Sequence, residues 1–160
     1  TTGKSTMGWF HGFKLHIVIN DKREILSFYV TQANVDDRHP LKNEGFLKDI
    51  FGKLFGDKGY ISKELQKLLF VDGVELITSI RNNMKNSLML MSDKILLRKR
   101  SVIETVNDEL KNICQVEHSR HRSVVNFLCN LIAGIIAYQF LPKKPSIKFD
   151  KLETNQLALY

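Results

Sequence analysis

From Gly12, the run GFKLHIVIN alternates apolar and polar residues and sets Phe13, Leu15, Ile17 and Ile19 on one face, which predicts a strand. Asn20-Asp21-Lys22 reads as a turn, and Glu24 to Thr31 as a second strand that closes a hairpin. Asn34 to Asp37 is loop-like, with Asp37 as an N-cap candidate for a helix from about Pro40 to Lys48. A short strand at Lys53 to Phe55 leads into Gly56-Asp57-Lys58-Gly59-Tyr60. Ser62 then caps a helix that stops at Asp72-Gly73. Val74 to Ile80 is a further strand. Arg81 to Ser92 is polar and Met-rich, without a clear period. Asp93 to Val116 predicts one long helix and Ser123 to Phe140 a second, ended by Pro142 and Pro145. The expectation is a mixed α/β domain with one sheet, flanking helices and no internal repeat.

The chain is 160 residues long, enough for one ordinary domain. Hydrophobic residues make up 43% and charged residues 26%, so a core can be buried and wholesale disorder is excluded. The longest apolar run, Phe127 to Leu141, is interrupted by Asn130 and Gln139. It falls short of the ~18–20 residues that span a bilayer. Lys4, His11, Lys14 and His16 break the opening segment, which does not read as a secretory signal. Cys114 and Cys129 form no CxxC pair, and two cysteines make no disulfide scaffold, so a reducing, cytoplasmic compartment is expected.

Charge is uneven. Residues 1–80 hold 11 basic and 10 acidic side chains, whereas residues 81–160 hold 13 and 7. The basic second half points to a polyanion, above all nucleic acid. His118 and His121 sit in an Arg-rich run with no further converging ligands, so they read as a phosphate-contacting loop ahead of a metal site. Gly3-Lys4-Ser5 mimics the end of a phosphate loop, but a strand follows where a helix would be required.

Two carboxylates stand out. Asp57 follows a short strand between Gly56 and Gly59, and ligands of α/β sheets gather at strand ends. At 100° per residue, Arg100, Glu104, Asp108 and Lys111 share one ribbon of the predicted helix, with Ile103, Val106, Leu110 and Ile113 largely opposite as core. Taken singly, each reads as an ordinary turn Asp or a salt-bridged surface helix.

Together, GFKLH on a strand, Asp57-Lys58-Gly59-Tyr60 after a later one, RSVIETVNDELK on a late helix and RHRS before the last helix resemble the DDE-class transposases of bacterial insertion sequences. The likeness runs from about Gly8 to Tyr138. It implies an RNase H-like α/β fold over residues 1–141, followed by a C-terminal tail at 142–160. It also implies metal-dependent DNA cleavage and strand transfer, with Asp57 and Glu104 holding Mg²⁺ or Mn²⁺. In such a site two ions about 3.5–4 Å apart activate the nucleophile and stabilise the leaving oxygen. Arg100 and Lys111 match the family's Arg, Glu, Lys spacing and would hold DNA phosphates. Arg81, Arg120 and Arg122 would add non-specific affinity. Partners implied are transposon ends and target DNA at the nucleoid. Bringing two ends together admits a homodimer, and no membrane is implied.

Two departures qualify the likeness. Leu97 stands where the family often has a Tyr, three residues before the Arg. No acidic residue precedes Asp21, and Asp36 and Asp37 are poor substitutes, so the first catalytic Asp is expected to be missing along with the opening strand. With no Met at Thr1, the chain is expected to be a C-terminal fragment that does not catalyse strand transfer. Competing readings are a non-catalytic DNA-binding remnant, another RNase H-like nuclease, or an unrelated basic α/β domain.

Overall fold

Two parallel strands joined through a helix carry the main core of the first of two units in the computed structural model, which describes residues 1–5, 8–80, 84–85, 88–116, 123–145 and 157–159. The chain divides into two units. Thr1–Val18, Leu26–Arg100 and Asp150–Tyr160 make the first, and Ile19–Ile25 with Ser101–Phe149 the second.

Within the first unit, β1 (Thr2–Ser5) and β2 (Gly8–His11) are antiparallel, with Lys4 opposite Trp9. Gly3-Lys4-Ser5 therefore lies inside a strand, where its amides serve the ladder and cannot converge on a phosphate. β3 (Phe13–Ile19) pairs with β4 (Ile25–Gln32). Its buried residue is Val18, on the face opposite to the expected Phe13, Leu15, Ile17 and Ile19, and Phe13 is exposed. On that same even-numbered face, His16 Nε2 meets Thr31 Oγ1 at 2.9 Å and Lys14 Nζ donates to the Val35 carbonyl at 2.8 Å. Cross-strand and loop partners therefore cover the face that alternation marks as polar.

The predicted helix at 40–48 is only a 3-10 turn, Pro40–Lys42. Asn43 leaves it in an extended conformation, and its Oδ1 accepts from Gly45 N–H at 2.9 Å, an Asx turn that competes with helix continuation. Asp37 caps nothing there, since His39 holds the cap position.

β5 (Gly52–Gly56) and β6 (Val74–Thr78) are parallel, Gly52 opposite Val74 and Gly56 opposite Thr78. Parallel strands need a crossover, supplied by α1 (Lys63–Val71). Ser62 Oγ accepts from Leu65 N–H at 3.3 Å, and Gly73 ends the crossover at φ 79°. Leu65 and Leu69 of α1 bury against Val74 and Leu76, with Val18, Leu41, Phe46 and Leu47 completing the core. β7 (Leu88–Leu90) leads into α2 (Met91–Lys99) and pairs antiparallel with β8 (Leu157–Leu159), so part of the expected loose tail is a strand. Among the described residues the ladders form four two-stranded sheets rather than one.

In the second unit, α3 (Val102–Asn112) and α4 (Val124–Gln139) pack Val106 and Leu110 with Leu131, Ile135 and Tyr138. The spacing of the buried positions is helical, and α4 follows its sequence reading closely. Gly134 permits the contact, because a Cβ there would run into Val116 and crowd the Cys114 carbonyl. Tyr138 Oη donates to the Arg23 carbonyl at 2.8 Å. Burial, with the Glu109 charge behind it, pushes the Tyr138 hydroxyl up to about 12. Among the described residues no helix is long and apolar enough to cross a membrane.

The predicted single helix at 93–116 is broken at Arg100–Ser101. Glu104 N–H bonds to the Ser101 carbonyl at 2.9 Å, three residues back instead of four, and Ser101 gives no side-chain cap. The single ribbon from Arg100 to Lys111 is thereby interrupted: Arg100 ends α2, while Glu104, Asp108 and Lys111 lie on α3.

Candidate active site

Asp57 stands at the carboxyl end of β5, where the strand gives way to a 3-10 turn at Lys58–Tyr60. It caps that turn itself, Oδ1 accepting from Lys58 N–H at 2.6 Å. Gly56 lies against Leu76, Tyr60 and Thr78, and a Cβ on it would touch all three, so the strand end packs closely beneath the carboxylate. Gly59 faces open space.

Arg100, at the end of α2, reaches the same carboxylate. Its Nη2 is 3.2 Å from Asp57 Oδ1, so one oxygen accepts both contacts. The side chain of Asp57 remains 61% exposed, which leaves it accessible to solvent and ions. Two residues singled out separately in the sequence are thus brought together.

Glu104 is exposed in the first turn of α3, in the second unit, where the helix N-terminus favours a carboxylate. Lys111 is exposed in the last turn of the same helix. Arg81, Arg120 and Arg122 lie outside the described residues, as do His118 and His121.

Asp36 and Asp37 are engaged elsewhere. Arg38 grips Asp36 with Nε at 2.9 Å and Nη2 at 2.7 Å, and its hydrogen bonds hold the Asp36 carboxyl well below the usual carboxylate range. Lys14 Nζ is 2.8 Å from Asp37 Oδ1. Tyr60 senses both Asp37 and Asp57: burial first, then these two charges, raise its hydroxyl. That proximity is tertiary, and no spacing in the sequence announces it.

Sequence reading also passed over Lys53 and Asp93. Lys53 Nζ contacts both Asp93 oxygens, at 2.8 and 2.7 Å, and the Asp93 side chain is 8% exposed. This pair ties β5, the strand that presents Asp57, to α2, the helix that presents Arg100. A Lys within an otherwise apolar strand was the available signal. Leu97 is buried, so that position supports packing and offers nothing to DNA.

Asp57 and Glu104 both offer hard carboxylate oxygens, the donor chemistry Mg²⁺ prefers. Among the described residues no cluster of three or more His, Cys, Asp or Glu side chains is placed to hold a metal ion.

No curated protein and no solved structure matches the chain. Residues 1–124 match the family described as "Transposase DDE domain", a span that takes in both Asp57 and Glu104. The chain belongs to the DDE transposase family, whose work is DNA transposition.

Proposed function

We propose that this chain carries part of a DDE centre for metal-dependent cleavage and strand transfer of DNA, inactive as it stands, with Asp57 and Glu104 as two of the metal-holding carboxylates. The observation that carries the reading is the Arg100–Asp57 contact at the end of β5, an acid and a phosphate-binding cation held 3.2 Å apart. Divalent cations, Mg²⁺ or Mn²⁺, when bound would supply the activated nucleophile and neutralise phosphate charge.

The chain's own groups then have distinct tasks. Asp57 and Glu104 present carboxylate oxygens to the cations. Arg100, paired with Asp57 in this structure, would turn its planar fork to a phosphate, and Lys111 would add a point charge. Arg81, Arg120 and Arg122 contribute further phosphate contacts whose strength falls with salt. We place these groups in an RNase H-like arrangement spanning residues 1–141. The substrates are transposon ends and target DNA, and two copies of the chain join two ends.

Two carboxylates make an incomplete two-metal site, and Asp36 and Asp37 are already committed to Arg38 and Lys14. The 160-residue chain therefore binds DNA weakly and does not transfer strands. The test is a Mg²⁺-dependent nicking assay on the chain itself. No cutting is expected, and clear cutting that Asp57→Ala abolishes would sink the claim of inactivity. Loss of Mg²⁺-induced thermal stabilisation in Asp57→Ala would support the metal assignment, whereas an unchanged shift would remove Asp57 from it.

A further inference from the structure

A cavity of about 530 Å³ opens beside the Asp57–Tyr60 turn, lined by Lys4, Trp9, Lys14, Asn34, Arg38 and Gly59 among others. Its size is that of a small-molecule site. Trp9, the chain's one tryptophan, is 73% exposed, so this large aromatic surface serves no core. The β1–β2 register pairs it with Lys4, which puts both side chains on one face of the hairpin, and Lys4 Nζ sits 5.7 Å from the indole centroid. The indole is thus a platform with a cation over it and solvent around it.

The cavity's charges divide in a telling way. Arg38 is paired with Asp36 and Lys14 with Asp37, so these four charges largely cancel and leave Lys4 as the cation that can hold an anionic group. Lys4 has no carboxylate partner among the described residues, and the Asn34 amide is exposed, with donors and an acceptor to offer. At Gly59 a side chain would meet only open space, so the backbone can be approached closely there. A flat, uncharged π-system carrying a phosphate on one side meets all of these conditions; an isolated phosphate or a carboxylate meets few of them.

We infer that this cavity receives an unpaired nucleobase of DNA, stacked on Trp9, with its flanking phosphate on Lys4 and its edge toward Asn34. The inference rests on the proposed DNA-processing role, and it adds a base-binding subsite outside the acidic residues. Stacking on an aromatic side chain tolerates any base, so the site senses whether a base is unpaired rather than which base it is.

Because Trp9 is the only tryptophan, its emission reports the cavity directly. The 160-residue chain is titrated at one fixed salt concentration with four probes, and binding is followed in parallel by anisotropy of an end label. The probes are a fully paired duplex, the same duplex with one unpaired base, that duplex with the unpaired position abasic, and a free mononucleotide. Quenching is expected with the unpaired base and not with the paired or abasic duplex. Trp9→Ala should weaken binding of the unpaired-base DNA by about 5- to 150-fold, leave duplex binding unchanged, and be largely rescued by Trp9→Phe.

DNA binding with silent Trp9 emission, or equal quenching by the abasic probe, overturns the subsite while leaving the DNA role standing. Absence of binding to every DNA probe overturns both. A mononucleotide that binds as tightly as the DNA would make the cavity a free-nucleotide site and overturn the assignment to DNA.

Discussion

Arg100 Nη2 lies 3.2 Å from Asp57 Oδ1, although 43 positions separate the two residues in the chain. The contact is largely exposed and contributes little to stability, within about 1 kcal/mol. Its consequence is electrostatic. Arg100→Ala is expected to weaken DNA binding and to lower the slope of log affinity against log salt by about 1. Asp57→Asn removes a negative charge from the same spot and should strengthen DNA binding while abolishing the Mg²⁺-induced thermal shift. Affinity measured over a salt series checks the first, and melting with and without Mg²⁺ the second. An unchanged salt slope in Arg100→Ala would remove Arg100 from the DNA contacts.

Lys53→Met should be severely destabilising, by about 3 kcal/mol, because it leaves the buried Asp93 carboxylate without its partner. Removing both charges, as in Lys53→Met with Asp93→Leu, should recover most of that loss. Urea unfolding of the two single variants and the pair tests the coupling. Additive effects would contradict it.

Tyr138→Phe deletes the hydroxyl that satisfies the Arg23 carbonyl and should cost about 1–2 kcal/mol. Arg23 sits at φ 64° in the turn after β3, a conformation that non-glycine residues adopt at a cost. The variant's loss should therefore appear at the Asn20–Glu24 turn in hydrogen exchange, where Arg23 N–H bonds to the Asn20 carbonyl.

Gly134→Ala introduces a methyl group where Val116 already lies and should destabilise by about 1–3 kcal/mol. In an exposed helix the same change would stabilise, because Ala is the better helix former. The sign of the measured change thus decides whether α4 packs against 114–116 this closely.

His16 supplies a pH dependence. Burial lowers its pKa below 6.5, partly opposed by the Asp37 charge and aided by Lys14. The neutral ring is therefore favoured in the folded state, and unfolding takes up a proton once pH falls below 6.5. The stability it contributes is present above that pH and is lost as pH falls through the lower, folded-state value. His16→Gln should flatten the stability profile below pH 6.5 relative to the parent. Parallel profiles would rule His16 out as the source.

Much of the framework was legible along the chain. Ser62, Gly73 and the apolar run from Val74 mark the helix and second strand of the βαβ unit, because caps, stops and strand composition are local properties of the backbone and its nearest side chains; the parallel pairing itself comes from the structure. The family resemblance rested on equally local spacing, Asp57 with Gly59 and Tyr60, and Arg100 with Glu104 and Lys111, and the family match covers that region. Local reading failed in two ways. Short-range bonds that compete with helix propagation cut one predicted helix to a turn at Asn43–Gly45 and split another at Ser101, while partners distant in sequence cover the face of β3 that alternation marks as polar.

By itself, then, the sequence determined the helical and strand segments of the βαβ unit, the last helix and the membership of a transposase family. Only the tertiary structure decided that Arg100 meets Asp57, that Lys53 is matched by Asp93, and that Trp9 faces a cavity rather than the core. Hydrogen-bonding pattern and hydrophobic period act over a few residues and are written in the order of the chain. Charge pairing and cavity shape depend on which surfaces meet after folding, and that order does not carry them.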